Sequence, residues 1–124
     1  MEKLVIGKKD LNEENFYTEQ NIDFDGAVEF EAGLGRVKIA GQIRATRYIF
    51  AGAGTGIKAG MGIRAGEGIE AGLSIVCKTL NAKLRIFAGL CIWRMPNAEE
   101  MQIRCERLES GEICYGELVK EKSR

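Results

Sequence analysis

Four carboxylates at alternating positions are the residues of this chain whose spacing best suits chemistry. Asp23 precedes Asp25 by two positions, and Glu29 precedes Glu31 by the same step, so that in a strand each pair shares one side. Such pairs could hold a cation or act as general acid and base. Both pairs lie in an acidic flank, where a solvated edge is the commoner role of charge. We therefore expect a solvated edge and assign no catalytic residue.

The absence of histidine limits the reactions that the chain could catalyse. Its 124 residues include no His, so that Ser–His and Cys–His nucleophiles are excluded and the usual general base near neutral pH is missing. No G-x-S-x-G elbow occurs. Gly52, Gly54 and Gly56 superficially suggest a phosphate-binding loop, but no Lys-Ser/Thr pair follows them. The sequence predicts a protein that is not an enzyme and takes no cofactor.

The cysteines and the apolar segments bear on metal binding and on the cellular compartment of the protein. Cys77, Cys91, Cys105 and Cys114 form no C-x-x-C pair, which predicts buried thiols in a reducing compartment and no metal site. A Cys105–Cys114 bridge across a hairpin stays open for an oxidising setting. No run of eighteen apolar residues and no long apolar N-terminal core occur, so we expect a cytoplasmic protein without membrane contact.

A glycine-rich repeat of six residues is the main structural signal, and it covers about residues 37–92. Units begin at Ile57, Ile63, Ile69 and Ile75, and Thr55-Gly56 is one of two breaks in phase. In an extended unit the first and third residues, Ile and Ala, share one face, while position two, usually charged, points outward. Glycine at position four is expected to bend the chain through a positive φ. The glycines that recur in most units oppose a helix, so we predict an all-β, single-stranded β-solenoid.

The six-residue period with one aliphatic residue per unit resembles the hexapeptide-repeat, left-handed β-helix family. The resemblance implies triangular coils of eighteen residues, and the repeat then makes about three coils. Many members of that family are acyltransferases that use a histidine as general base. Because this chain has no histidine, a hexapeptide-type transferase is only the third functional hypothesis.

The flanks are expected to cover the open ends of the solenoid within a single domain, 1–124. Residues 1–36 are predicted to form an acidic N-terminal cap containing Phe16, Tyr17, Ile22 and Phe24. Residues 37–95 form the solenoid repeat. Residues 96–124 are predicted to form a C-terminal β-hairpin around Gly111 and a tail.

Charge is distributed unevenly and suggests a binding surface. Residues 1–35 carry a net charge of −6, residues 36–96 of +8 and residues 97–124 of −2. The predicted binding residues are the outward-facing basic side chains and one aromatic anchor: Arg44, Lys58, Arg64, Lys83, Arg85 and Trp93. The alternatives are solubilising charge for the basic residues and end-cap packing for Trp93. An acidic protein is the expected partner; nucleic acid is the weaker candidate, since few aromatics interleave with the basic residues, and a homodimer is a further option.

The whole chain also resembles a group of small bacterial proteins built on I-x-A-G repeats, and residues 82–94 and 103–118 match the layout of that group. Such proteins are typical of mobile-element and phage-associated genes. The resemblance implies a stoichiometric inhibitor of a host defence complex, for instance of anti-CRISPR type, that acts by occupying a surface. The alternative is a self-associating structural solenoid of the bactofilin kind.

Overall fold

The chain folds as a β-solenoid. The computed structural model describes residues 3–89 and 97–121, so Cys91 and Trp93 lie outside the described residues. The structure is nearly all β, with 59% of residues in strands and 5% in helices, and the parallel strands wind through about four turns. The predicted all-β solenoid is thus confirmed, with more turns than the three expected.

The strands stack on three faces, and neighbouring strands in successive coils pair in parallel. Face 1 holds β1 (Lys3–Ile6), β3 (Ala27–Phe30), β6 (Ile49–Ala51) and β9 (Ile69–Ala71). Face 2 holds β2 (Ile22–Phe24), β5 (Ile43–Ala45) and β8 (Gly62–Ala65). Face 3 holds β4 (Gly35–Ile39), β7 (Thr55–Ala59), β10 (Ile75–Val76), β12 (Gln102–Cys105) and β14 (Glu117–Lys120). Two long strands, β11 (Thr79–Ala88) and β13 (Arg107–Tyr115), run across the corner from face 2 to face 1.

Aliphatic ladders inside the solenoid form the core. On face 2, Ile43 pairs with Ile63, and Ile63 pairs with Leu80; all three side chains are at most 1% exposed. The alanines at position three are also buried, whereas the position-two residues point outward. Each fully buried isoleucine contributes about 1.5–3 kcal/mol relative to an exposed one. The inward Ile and Ala predicted from the repeat are therefore observed.

The central coil from Ile43 to Ile63 is longer than the expected eighteen residues because it contains two extra residues. Ile43 pairs with Ile63, twenty residues further on, and the two extra residues are Thr55-Gly56. Thr55 is fully buried. Its Oγ1 donates a hydrogen bond of 2.5 Å to the carbonyl oxygen of Glu31 and accepts one of 3.1 Å from the Leu34 amide. The phase break in the sequence is thus a two-residue insertion at the start of β7, where the Thr55 hydroxyl joins two successive coils.

In three consecutive units, glycine at position four is required for a reason other than the predicted positive φ. Gly60, Gly66 and Gly72 do not have a positive φ. Instead, the corner of the preceding coil approaches them closely. A Cβ added at Gly72 would lie 2.5 Å from the carbonyl oxygen of Gly52 and 2.7 Å from the Cα of Ala53. The positive-φ prediction is wrong for these units, because what excludes a side chain is close backbone approach.

The segment after β1 covers the first coil. The predicted cap, residues 1–36, is nevertheless too long, because its members Ile22 and Phe24 belong to β2 of the solenoid. A 3-10 helix, Lys8–Asp10, follows β1, and Leu11 and Tyr17 form an antiparallel bridge and pack against the core. The Tyr17 amide donates to the Lys38 carbonyl at 2.8 Å, and the Lys38 amide donates to the Asn15 carbonyl at 2.9 Å. These bonds attach the segment to β4 as a further layer on face 3.

The C-terminal segment continues the solenoid, and the predicted β-hairpin is wrong. A 3-10 helix, Glu99–Met101, precedes β12, β12 pairs with β14 in parallel, and β13 pairs with β11 in parallel. Gly111, expected at a hairpin turn, lies inside β13 with φ +122°, and a Cβ there would meet Ile86 Cδ1 at 2.7 Å. Solenoid strands therefore extend on both sides of the predicted 37–95 span. No helix of the described chain is long and apolar enough to cross a bilayer.

Candidate functional site

A row of aromatic and acidic side chains on face 1 marks the main candidate site. Phe50 on β6 pairs with Glu70 on β9, and Glu70 pairs with Phe87 on β11. Neighbouring strands lie about 4.8 Å apart, so the carboxylate stands between two aromatic side chains. An open groove of about 810 Å³ runs along this row. Tyr115 on β13 extends the row beyond Phe87 and is 39% exposed.

The repeat itself places the two phenylalanines in the groove. Ile49 and Ala51 point into the core, so strand alternation turns Phe50 outward, and the unit at Ile86 does the same with Phe87. These residues were missed because position two was interpreted as a charged position. The signal was present, since both units read I-F-A-G and the structure stacks them on one face.

The corner residues Lys83, Leu84 and Arg85 form one rim of the groove. The Leu84 amide donates a hydrogen bond of 3.1 Å to the Glu67 carbonyl, which holds the rim to the previous coil. The Leu84 side chain is nevertheless 55% exposed. Arg85 is the register partner of Glu112 on β13. The rim therefore presents an apolar side chain between two cations.

Two carboxylates near the groove are compensated by polar partners. The Tyr48 hydroxyl donates to Glu29 Oε2 at 2.6 Å, and Lys3 Nζ lies 3.5 Å from the same oxygen. The hydrogen bond to the Glu29 carboxylate raises the pKa of Tyr48 above its ordinary value because it stabilises the protonated hydroxyl. Arg47 Nε lies 3.3 Å from Glu67 Oε2.

Glu70 differs from these carboxylates. It has no ion pair and no side-chain hydrogen bond with any residue in the described part of the chain. Its side chain is half-buried, as are those of Phe50 and Phe87 on either side. The groove thus holds a half-buried carboxylate that forms no ion pair with any described residue.

The predicted binding residues fall in three places. Arg44 and Arg64 are register neighbours on the exposed side of face 2. Lys58 lies beside Lys38 on face 3. Lys83 and Arg85 lie on the groove rim, so the structure brings two of the predicted residues to the aromatic row; Trp93 lies outside the described residues.

The carboxylates first considered for catalysis belong to different local contacts. Asp23 is exposed and stands beside Arg44 in register. Asp25 Oδ1 accepts a hydrogen bond of 2.9 Å from Thr46 Oγ1. Within the described residues, no group of three or more His, Cys, Asp or Glu side chains could hold a metal ion.

The cysteines that the structure describes are free thiols. Cys77 and Cys105 are buried, whereas Cys114 is exposed, so the Cys105–Cys114 bridge that an oxidising setting would allow is not formed. Burial raises the pKa of Cys77 to about 12 and raises the pKa of Cys105 above its ordinary value. Both buried thiols are therefore protonated and unreactive near neutral pH.

No protein-family model, curated protein or solved structure matches the chain. The groove and the repeat are therefore the features that bear on its function. The groove is lined by aromatic side chains, two cations and three carboxylates (Glu67, Glu70 and Glu112), which are groups that can recognise a partner by stacking and charge.

Proposed function

We propose that this chain is a non-catalytic binding protein that docks a partner protein in the groove on face 1. The observation that carries the proposal is the row of Phe50, Glu70 and Phe87 in an open groove. Aromatic side chains are enriched at the centres of protein interfaces, and a charged rim around them is typical. The parallel coils hold the row on a rigid surface, which lowers the entropic cost of binding.

The biological role proposed for this docking is inhibition of a host defence complex, for instance of anti-CRISPR type. Support comes from the resemblance of the chain to I-x-A-G repeat proteins of mobile elements. An inhibitor that occupies a surface needs no catalytic residue, and Lys83 and Arg85 on the rim suit a partner with acidic side chains. If the partner is a defence complex, one equivalent of this protein should abolish the activity of that complex.

A pull-down from the native host, read by mass spectrometry, tests the docking proposal. We expect one partner at a constant ratio to the wild-type protein. The variant Phe50→Ala/Phe87→Ala should lose that partner, since interface aromatics commonly contribute 2 kcal/mol or more, about thirtyfold in Kd.

A charge-reversal variant provides the matched control. Arg44→Glu/Arg64→Glu changes two exposed residues on face 2 and leaves the groove intact, so the partner should be retained. Loss of the partner in this variant, or in Lys58→Glu, with retention in the Phe50/Phe87 variant would reject the groove in favour of the basic faces. Recovery of nucleic acid in place of a protein would also contradict the proposal.

The second candidate function is structural self-association. It is favoured by the C-terminal end of the solenoid, where β13 pairs only with β11 and β14 only with β12 among the described strands. Each strand therefore has one edge whose backbone groups lack a strand partner there. Such edges can pair with another chain.

A further inference from the structure

We propose that the groove on face 1 is a receptor for an arginine side chain, presented by an extended segment of the partner protein with an acidic residue two positions away. This inference rests on the proposed docking function and specifies the chemistry that the docking recognises. Its starting point is the carboxylate of Glu70 between Phe50 and Phe87, which forms no ion pair within residues 3–89 and 97–121.

The surroundings of Glu70 favour a cation directly above its carboxylate. The neighbouring carboxylates already have partners, since Glu29 contacts Lys3 and Tyr48 and Glu67 contacts Arg47. An apolar ligand seated in the groove would take Glu70 further out of water without a compensating charge, which is unfavourable. A cationic ligand removes that penalty and also gains attraction from the aromatic faces.

Guanidinium fits this row better than ammonium. The group is planar and weakly hydrated, it stacks on aromatic rings, and it can give a carboxylate two parallel hydrogen bonds. Phe50 and Phe87 stand on the two strands that flank Glu70, about 10 Å apart across two strand spacings. A guanidinium above Glu70 therefore has an aromatic side chain on either side of it.

The rim provides the second half of the recognition. Arg85 and Phe87 lie two residues apart on β11, which puts their side chains on the same side of the strand about 7 Å apart. Arg85 is consequently a diagonal neighbour of Glu70, at about 7–8 Å. An extended partner segment repeats this spacing between its residues i and i+2, so an arginine over Glu70 brings an acidic residue towards Arg85.

A peptide titration followed by ¹⁵N–¹H NMR tests the inference. The probe is acetyl-Ala-Arg-Ala-Glu-Ala-amide, and the comparison peptide replaces arginine by citrulline, which has nearly the same shape and no charge. We expect amide shifts at residues 48–50, 67–70 and 83–87 with a Kd of about 1 mM, the range for a short peptide with one anchor. The citrulline peptide should bind about tenfold more weakly, because a charge-assisted contact is lost.

Two substitutions distinguish arginine recognition by Glu70 from a general effect of the protein's net charge. Glu70→Gln keeps the size of the side chain and should weaken the arginine peptide about tenfold while leaving the citrulline peptide unaffected. Glu14→Gln removes the same charge from an exposed residue of the N-terminal segment and should change neither Kd. Equal binding of the two peptides, an unchanged Kd in Glu70→Gln, or no saturable shift at these amides would overturn the proposal.

The two proposals fail in distinguishable ways. If a host partner is lost on replacing Phe50 and Phe87 but the two peptides bind alike, groove docking stands and the arginine anchor is rejected. If the arginine peptide binds as expected but the host partner is retained by the Phe50/Phe87 variant, the groove recognises arginine and docking uses another surface.

Discussion

Two glycines in the corner between face 1 and face 3 illustrate how the fold constrains single residues. Gly33 follows β3, and Gly72 lies in the same corner two coils later. Gly33 has φ +75° and nothing within 4 Å of an added Cβ, whereas the Cβ position at Gly72 is occupied by the backbone of residues 52–54. The first glycine is needed for its backbone conformation, and the second for the space that a side chain would fill.

The same substitution should therefore have unequal effects at these two residues. Gly72→Ala forces two backbone segments apart and should lower the free energy of unfolding by about 3 kcal/mol, the upper part of the usual range for overpacking. Gly33→Ala only places alanine in the left-handed region, at a cost of about 1–2 kcal/mol. Urea unfolding followed by far-UV circular dichroism measures both, and equal losses would contradict the distinction between crowding and conformation.

At the level of the strand, inward side chains stabilise the fold, and outward side chains form the surface on which the proposed docking depends. β8 shows both in adjacent residues, since Ile63 is buried between Ile43 and Leu80 while Arg64 faces solvent. The inward residue joins three successive coils. The outward residue, Arg64, is exposed and adds no buried packing between coils.

Alanine substitutions at these two neighbours test that division. Ile63→Ala leaves a cavity at the centre of the face 2 ladder and should lower the free energy of unfolding by about 2–5 kcal/mol. Arg64→Ala, the matched control in the same strand, should stay within about 0.5 kcal/mol. The midpoints of chemical unfolding report both values; a loss at Arg64 as large as that at Ile63 would show that the outer row is structural.

The sequence reveals these strands well because one rule, a branched aliphatic residue followed two positions later by a small one, recurs at each face. It does not reveal where a coil is lengthened, since the extra Thr55-Gly56 at the start of β7 is accommodated by a buried hydroxyl contact between coils. Strand alternation around Gly111 is also the same for a hairpin and for a stacked coil. The close approach of Ile86 and Ala82 to Gly111 distinguishes a stacked coil from a hairpin. The sequence does not show this contact, because it forms only when the coils stack.

The candidate groove was only partly predictable for the same reason. Lys83 and Arg85 could be named from their charge, because charge is a local property of the sequence. The row of Phe50, Glu70 and Phe87 could not, since its members become neighbours only through the length of each coil. Face 1 brings them together because Ile49 pairs with Ile69 and Ile69 with Ile86.

The two ends of the whole molecule differ. At the N-terminal end, Leu11 and Tyr17 pack on the core, and Asn15 Nδ2 donates to the carbonyl oxygens of Leu34 at 2.7 Å and Arg36 at 3.1 Å. At the C-terminal end, the core ends in Leu108, Ile113 and Leu118, which are only partly buried. Within the described residues, the N-terminal end is covered, whereas β13 and β14 each have one edge without a strand partner. We therefore expect association through those edges as a closed pair, because the covered ends prevent extension.

This asymmetry predicts a concentration-dependent dimer and no filament. In such a dimer β13 of one copy lies antiparallel to β13 of the other across a two-fold axis. Lysines on this edge, Ser110→Lys/Cys114→Lys, should shift sedimentation velocity profiles towards the monomer, because edge charges oppose strand pairing. Glu14→Lys/Glu19→Lys at the covered end gives the control and should leave the profile unchanged. Filaments from the wild-type protein would show that both ends associate, and a monomer at all concentrations would show that the open edge does not pair.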